Sequence, residues 1–405
     1  MTRSLSPRIG LALAGGGPLG AIYEIGALCA LEESLTGLDF TDCHSYVGVS
    51  AGGFIAAGLA NGMRPRELCA SFIENVGAAH DIFEPALLIR PAWGEFARRI
   101  ATLPGLAAGA ALRYAFTRRS LSSTVEQLGR VLPTGLFSNA MIDVQLQRQF
   151  DAPGRTNDFR RLKRKLVLVA TDLDSGESAP FGQPGFDHVP ISKAVQASAA
   201  LPGLFPPVEI DGHHYVDGAL KKTLHASVLL DEGLDLLICL NPLVPFDSTH
   251  ATHPRVLARA GEAIPRLVDG GLPVVLSQTF RTLIHSRLEI GMKGYERSHP
   301  GTTIVLFEPD QRDRAMFLAN TFSYSQRRTL AEHAYQQTRR MLRSRRGRLA
   351  AQLAPHGVRI DAAVLDQPRR LLSPVRAATR NTAQALHRLE EVLDDLDDLL
   401  VTHGA

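Results

Sequence analysis

Residues 8–20, RIGLALAGGGPLG, place a short apolar run directly before a cluster of glycines. An apolar run of this kind is typical of a buried strand in a parallel sheet. In residues 18–35 apolar side chains recur close to every 3.6 positions, which predicts a helix. Pro18 suits the first helical position because no backbone N–H is needed there. The chain therefore opens with a strand, a glycine turn and a helix.

A second unit of the same kind follows in residues 45–53, SYVGVSAGG. This stretch predicts a strand that ends at Ser50 and a helix of small residues over positions 51–60. Further apolar segments predict strands at residues 165–171, 208–216, 234–241 and 303–307. Because strands and helices alternate, the sequence predicts an α/β fold with a largely parallel sheet.

The composition is that of an ordinary globular protein. Of the 405 residues, 45% are hydrophobic and 21% are charged, and the formal net charge of +3 is too small to indicate a nucleic-acid partner. No secretion-signal pattern opens the chain, and no stretch reaches the roughly 18 apolar residues that a membrane span requires, so we expect a cytoplasmic protein. The cysteines lack a C-x-x-C pair, which predicts free buried thiols and no metal site. They are Cys29, Cys43, Cys69 and Cys239.

The glycine turn, residues 15–20, can place several backbone N–H groups around one concavity. Such a nest binds a phosphate or the oxyanion of a tetrahedral intermediate. The spacing also fits the G-x-G-x-x-G fingerprint of dinucleotide-binding proteins, which additionally need an acidic residue at the end of the second strand. Asp39 and Asp42 precede that strand, and Ser50 ends it. A nucleotide-binding or non-catalytic module stays open as an alternative.

Gly48-Val49-Ser50-Ala51-Gly52 is a G-x-S-x-G turn. Small residues on both sides of the serine allow a sharp turn that exposes its hydroxyl at a helix N-terminus. The amide of Ala51 could stabilise an oxyanion there. The competing interpretation is a serine that only caps the helix. Because a strand and a helix are both predicted around it, we favour a nucleophile.

A serine nucleophile needs a base. Asp217 follows the strand-like segment 208–216, and apolar surroundings would raise its pKa enough for its carboxylate to accept the serine proton. An ordinary Asp-Gly turn is the alternative. Several histidines occur later in the chain, but none lies in an evident strand-end loop. They are His285, His299, His333, His356, His387 and His403.

Together these motifs resemble those of the patatin-like phospholipase family. Residues 15–20 are similar to the glycine-rich oxyanion loop of that family, residues 48–52 to its nucleophile turn, and residues 217–219, DGA, to its D-G-[GA] motif. Two intervening stretches, residues 170–177 and 198–207, are also similar. All of these stretches match in the same order, which makes the joint resemblance more specific than any single motif.

The resemblance implies a three-layer α/β/α fold and a Ser–Asp dyad that hydrolyses glycerolipid esters without a metal or cofactor. Ser50 would form an acyl-enzyme, and Asp217 would first accept the serine proton and then activate water. The oxyanion would be stabilised by the backbone amides of Gly15, Gly16, Gly17 and Ala51. The glycines that support these motifs are Gly20, Gly48, Gly52 and Gly218.

One position departs from the family pattern. Many bacterial relatives carry Arg or Lys immediately before the last glycine of the loop, where this chain has Leu19. The missing cation gives more weight to a neutral glyceride or another hydrophobic ester. Besides a phospholipase A-like or lysophospholipase-like hydrolase, the alternative is therefore an esterase of the same fold acting on a neutral lipid, a storage polyester or a thioester.

The expected organisation is a catalytic domain over residues 8–345, with its motifs in residues 8–220, and a C-terminal helical extension over residues 346–405. Residues 78–123 predict helices that form a lid over the sheet, with apolar and arginine side chains suited to a membrane surface or to internal packing. We expect the lipid substrate to be met peripherally, at a membrane or lipid-particle surface. The basic run 339–348 is expected on a solvated helix face, with contact to anionic lipid headgroups as the alternative. Leucines among acids in the extension predict packing on the main domain, a homo-oligomer or a partner helix.

Overall fold

The computed structural model describes residues 7–78, 80–83, 90–97, 99, 101, 133–247, 256–257, 263–264, 266–318 and 326–373. The chain divides into two compact units, Met1–Leu371 and Leu372–Ala405. The secondary structure given below lies in the first unit, and the expected domain boundary at residue 345 stays a prediction. The predicted lid over residues 78–123 and the acidic leucine-rich segment near the C-terminus lie largely or wholly outside the described residues.

The described residues form a central sheet of eight strands. The strands are β1 (Ile9–Leu13), β2 (Ser45–Val49), β3 (Lys165–Asp172), β4 (Ser178–Phe181), β5 (Val208–Ile210), β6 (His213–Asp217), β7 (Leu236–Leu240) and β8 (Thr303–Phe307). They lie in the order β8-β7-β1-β2-β3-β6-β5, and β4 also pairs with β3. Pairing is parallel from β8 to β3 and antiparallel where β4, β5 and β6 take part. The predicted, mostly parallel sheet is confirmed.

Helices cover both faces of the sheet, which confirms the three-layer α/β/α fold. They are α1 (Gly17–Ser34), α2 (Ala51–Ala60), α3 (Pro65–Cys69), α4 (Ala140–Phe150), α5 (Ile191–Ser198), α6 (Ser227–Leu230), α7 (Gly271–Ser298), α8 (Arg314–Leu318), α9 (Arg327–Ser344), α10 (Arg346–Leu353) and α11 (Ala362–Asp366). Short 3-10 or π-helical turns occur at Ala70–Glu74, Phe159–Arg161, Gly218–Leu220, Leu267–Gly270 and Ala354–His356. Short strand pairs outside the sheet join Leu35–Thr36 to Arg359–Ile360 and Val256–Leu257 to Ala263–Ile264.

The core follows from the alternation of side chains along each strand. On one face of the sheet, Ala12, Val47 and Val167 belong to a buried cluster that also contains Leu288 of α7. On the other face, α2 lies against β1, β2 and β3. The strands are therefore buried on both sides, which is why they are apolar runs in the sequence. All four cysteines are buried free thiols, as predicted.

The predicted strand over residues 208–216 is wrong as a single strand. The chain turns at Asp211 and Gly212, whose φ angles are 53° and 79°, so that β5 and β6 form an antiparallel hairpin. Asp-Gly is a favoured pair for a two-residue hairpin turn because both residues tolerate the left-handed region. The other predicted strands, and the helices α1 and α2, are confirmed to within two residues at each end.

The basic run 339–348 is not a wholly solvated face. Arg339 is fully buried in α9, and its guanidinium donates hydrogen bonds to the carbonyl oxygens of Val364 (3.0 Å), Leu365 (2.9 Å) and Gln367 (2.6 Å). A buried cation is tolerated where hydrogen bonds replace its hydration. The expectation is therefore wrong at Arg339, which ties the end of α11 to α9.

Candidate active site

Strand register brings the predicted nucleophile and base together. β2 pairs with β3 up to Val49 opposite Val169, and β6 then takes over the same edge of β3, with Asp217 opposite Ala170. The other edge of β3 is occupied by β4. Asp217 therefore stands at the sheet position directly after Val49, where Ser50 leaves β2.

Glycines let the backbone segments of the site approach one another. A Cβ atom on Gly52 would lie 2.4 Å from the carbonyl oxygen of Leu13, and one on Gly218 would lie 2.1 Å from the carbonyl oxygen of Val169. Either contact is too short for a side chain, so these positions require glycine. Added Cβ atoms would also meet neighbours within 3.0 Å at Gly16, Gly20 and Gly48.

Ser50 occupies a strained turn between β2 and α2. Its φ and ψ angles are 53° and −123°, a region that residues with a side chain rarely adopt. The side chain forms no capping hydrogen bond to α2. Its hydroxyl instead lies close enough to the carboxylate of Asp217 to lower the pKa of that group. The interpretation of Ser50 as a simple helix cap is therefore wrong.

Sequence reasoning missed the role of Ser198, which lies at the end of α5. Its hydroxyl accepts a hydrogen bond from the backbone N–H of Ser50 at 2.8 Å and donates one to the carbonyl oxygen of Val169 at 2.7 Å. These two bonds hold the strained turn against β3. The one signal in the sequence is that Ser198 opens the stretch 198–207, which resembles the family.

Asp217 is buried, with only 3% of its surface exposed. Burial raises the pKa of its carboxyl group to about 6, although hydrogen bonds from the Ser50 hydroxyl and the Ala219 amide, the latter at 2.8 Å, act in the opposite direction. Removal from water disfavours the charged form, whereas donors to the carboxylate favour it. The group is therefore ionised at pH 7 and remains basic enough to take a proton.

The glycine loop borders this pair. A Cβ atom on Gly15 would lie 3.6 Å from the Oγ atom of Ser50. Within the part of the chain that the structure describes, no hydrogen bond is donated by the backbone amides of Gly15, Gly16, Gly17 and Ala51. Free amides at the first turns of α1 and α2 suit an anion. Which of them bind an oxyanion stays a prediction.

None of the described histidines hydrogen-bonds to Ser50. His225 follows Asp217 in the chain, and it contacts the carbonyl oxygen of Gly218 through Nε2 at 3.1 Å. Burial lowers the pKa of His225 to about 4, so its ring is neutral at pH 7. The later described histidines pair elsewhere: His285 with Gln311, His299 with Asp231, His333 with Asp313 and His356 with Thr303. His387 and His403 lie outside the described residues.

The acidic residues considered for nucleotide binding lie away from the glycine loop. Asp39 and Asp42 precede β2, whereas the loop follows β1, and these two strands are parallel. The start of β2 therefore lies at the amino ends of the parallel strands, whereas the end of β1 lies at their carboxyl ends. Asp42 also pairs with Arg164 at 2.7 Å. Neither carboxylate can reach a ribose held by the loop.

Two further properties bear on what the site can bind. Among the residues that the structure describes, no group of three or more His, Cys, Asp or Glu side chains could hold a metal ion. Over the same ranges, no helix combines the length and the apolar character needed to cross a bilayer.

A serine on a strained strand–helix turn, beside a buried carboxylate, is the arrangement expected of a serine hydrolase. The family model described as patatin-like phospholipase matches residues 11–230 of this chain. The chain belongs to the patatin-like phospholipase family, and the predicted resemblance is confirmed.

Individual relatives are more distant. Uncharacterized NTE family proteins of Mycobacterium tuberculosis and Mycobacterium bovis are 33% identical over 75 residues, which are 18% of this chain and 19% of theirs. The match thus spans about a fifth of the length of these relatives. Among solved structures, VipD from Legionella pneumophila has 17% identity and a TM-score of 0.37, over 84% of this chain and 67% of that chain. The type III effector protein ExoU of Pseudomonas aeruginosa has 16% identity and a TM-score of 0.33, over 87% and 59%.

Proposed function

We propose that the protein is a serine lipid acyl hydrolase that cleaves fatty-acyl esters with a Ser50–Asp217 dyad. The observation that carries this proposal is the placement of Ser50 beside a buried carboxylate whose pKa is raised, as the strand register requires. Membership of the patatin-like phospholipase family supports the lipid substrate class. The proposal needs no histidine, metal or cofactor, because a carboxylate with a pKa near 6 can itself accept the serine proton.

The chemical steps follow from the positions of these groups. The Oγ atom of Ser50 attacks the acyl carbonyl carbon while its proton passes to Asp217. The carbonyl oxygen becomes an oxyanion bound by the free amides of the glycine loop and Ala51. Collapse of this intermediate breaks the ester bond, and the leaving alkoxide takes the proton from Asp217. Asp217 then accepts a proton from water, which attacks the acyl-enzyme to form a second tetrahedral intermediate. Its collapse breaks the bond to the Oγ atom of Ser50 and releases the fatty acid, while Asp217 returns the proton to Ser50.

The chemical class of the substrate headgroup is a separate question. Residues 15–20 carry no charged side chain, and Leu19, which stands where many bacterial relatives have a cation, is buried at 5% exposure. The loop therefore provides backbone donors for the acyl group but no side-chain charge for a phosphate. We propose acyl-ester hydrolysis of a phospholipid or lysophospholipid, with a neutral lipid, a storage polyester or a thioester as the second candidate.

Covalent labelling tests the proposal. A fluorophosphonate probe should modify the native protein at Ser50, because the probe captures a serine activated by a base. Peptide mass spectrometry identifies the labelled residue. Hydrolysis of a diacyl phospholipid, a triglyceride and a short aryl ester then ranks the substrate classes. A protein that takes no label and hydrolyses none of these esters would be a non-catalytic module.

The pH dependence follows from the raised pKa of Asp217. The ionised carboxylate is the active base, so kcat/KM should be constant above about pH 7 and should fall about tenfold per pH unit below about pH 6. Initial rates on an uncharged aryl ester, measured from about pH 4 to about pH 9, give the profile. A profile that stays flat down to about pH 4.5 would contradict a base with the raised pKa of Asp217.

A further inference from the structure

The long helix α7 has two different faces. Its inward face carries His285, Leu288, Met292 and Tyr295 at helical spacing. Leu288 is buried in the core cluster, Met292 and Tyr295 pack against that cluster, and His285 is buried as well. This face attaches the C-terminal half of α7 to the sheet.

The outward face of α7 is apolar and exposed. At 100° per residue, Leu272, Leu276, Leu283 and Ile290 fall within about 40° of one another, opposite the inward face. Their exposed fractions are 70%, 44%, 54% and 70%. Val275 and Phe280, which are 38% and 43% exposed, lie on either side of this line. We call these six residues the outer stripe.

The outer stripe extends toward the carboxyl ends of the parallel strands, where Ser50 lies. α7 ends at Ser298, shortly before β8 begins at Thr303, so its C-terminus lies where the parallel strands begin. A helix of 28 residues is about 42 Å long, whereas a five-residue strand spans about 17 Å. The N-terminal half of α7 therefore projects past the carboxyl ends of β1 and β2.

Hydrogen bonds connect α7 to the segment that follows Asp217. The hydroxyl of Thr223 donates to the carbonyl oxygen of Ile284 at 2.9 Å, and the guanidinium of Arg287 donates to the carbonyl oxygen of Leu220. The outer stripe is thus carried by a helix that is bonded to Leu220 and Thr223, shortly after Asp217 in the chain.

The charges on α7 are distributed unequally around the helix axis. Three basic side chains are exposed and project from the half of the helix circumference that is centred on the outer stripe. They are Arg287, Lys293 and Arg297. The acidic residues of the helix, Glu289 and Glu296, project outside that half. The face is therefore apolar with basic flanks, which is the pattern of helices that lie in the headgroup region of an anionic bilayer.

A second copy of the chain fits this face less well. Residues 271–283 contain no acidic residue. If two copies paired antiparallel through the stripe, the basic C-terminal half of each helix would meet a segment without negative charge. Anionic lipid headgroups supply the charge that a second copy would lack.

We infer that the outer stripe of α7 is the surface by which the protein docks on an anionic lipid bilayer. This inference rests on the proposed function in one respect: the docked bilayer would supply the acyl ester. Apolar side chains would enter the headgroup boundary, and Lys293 and Arg297 would contact lipid phosphates.

Vesicle flotation tests the inference separately from catalysis. The Ser50→Ala protein is mixed with vesicles of phosphatidylcholine alone or with phosphatidylglycerol. We expect Leu272→Ser/Leu283→Ser, made in that background, to lower the partition coefficient on both vesicles by about tenfold or more. Lys293→Gln/Arg297→Gln should lower binding only to the anionic vesicles. The matched control is Val76→Ser/Val144→Ser, which replaces two exposed apolar residues outside α7 and should bind as the parent does.

Catalysis by the Leu272→Ser/Leu283→Ser variant, with Ser50 intact, provides the second measurement. Turnover of a soluble aryl ester should equal that of wild type within about twofold, whereas hydrolysis of vesicle lipid should fall with the partition coefficient. Unchanged flotation of the variant would overturn the inference. The inference would also be overturned if the parent protein were a dimer and the variant a monomer, while both floated equally with the vesicles. If wild type hydrolyses no ester, the proposed function fails, and flotation still decides the role of the stripe.

Discussion

Replacing Ser50 by alanine is expected to reduce kcat/KM for ester hydrolysis by about 10⁴-fold or more. The variant retains the buried carboxylate and the free amides but lacks the oxygen that forms the acyl-enzyme. Alanine also fits the strained turn, because it is smaller than serine and the N–H bond to the Ser198 hydroxyl comes from the backbone. The fold should therefore be preserved.

Initial rates and probe labelling on the same preparations measure this effect. Ser344→Ala is the matched control, since Ser344 is an exposed serine at the end of α9 whose hydroxyl bonds only locally to the carbonyl oxygen of Met341. It should keep the rate and the label of wild type. Undiminished hydrolysis by Ser50→Ala would place the nucleophile elsewhere.

Replacing Asp217 by asparagine should lower kcat/KM by roughly 10³- to 10⁴-fold. An amide has nearly the same shape but cannot accept the serine proton. The same change should stabilise the protein at neutral pH. Burial raises the pKa of Asp217 from 3.8 to about 6, so the unfolded chain releases the proton at a lower pH than the folded chain does. Wild type therefore loses stability as the pH rises from about 4 to about 6, by roughly 3 kcal/mol at most.

Urea unfolding at about pH 4 and about pH 8 separates the two effects of Asp217→Asn. The variant should gain stability over wild type at the higher pH only, where the wild-type carboxylate is charged and buried. Asp231→Asn changes an aspartate whose side chain is 73% exposed, and it should alter neither the rate nor this pH dependence. Full activity of Asp217→Asn would mean that another base has been overlooked.

Most of the site could be predicted because its motifs are local. The glycine loop and the serine turn each join a strand to the helix that follows, so their placement depends on residues that are close in sequence. The predicted ends of β2 and α2 agree with the structure for this reason. The resemblance to the family then linked these turns to Asp217.

Long-range features could not be predicted in this way. Residues 208–219 contain two Asp-Gly pairs, and sequence alone does not show that Asp211 turns the chain while Asp217 faces Ser50. That difference depends on which edge of β3 is left vacant where β2 ends. The burial of Arg339 likewise depends on carbonyl oxygens that lie more than 20 residues further along the chain.

The pairing of β6 with β3 has a consequence for how this enzyme family can change. Sheet pairing is discrete: a slip of one residue would turn side chain 217 to the opposite side of the sheet. Gradual displacement of the proposed base is therefore excluded, and the proposed pair of Ser50 and Asp217 is either intact or absent. The long segment between β2 and β3 is free of this constraint, because its length does not enter the alignment. Insertions in that segment would therefore leave the alignment of residue 50 with residue 217 unchanged.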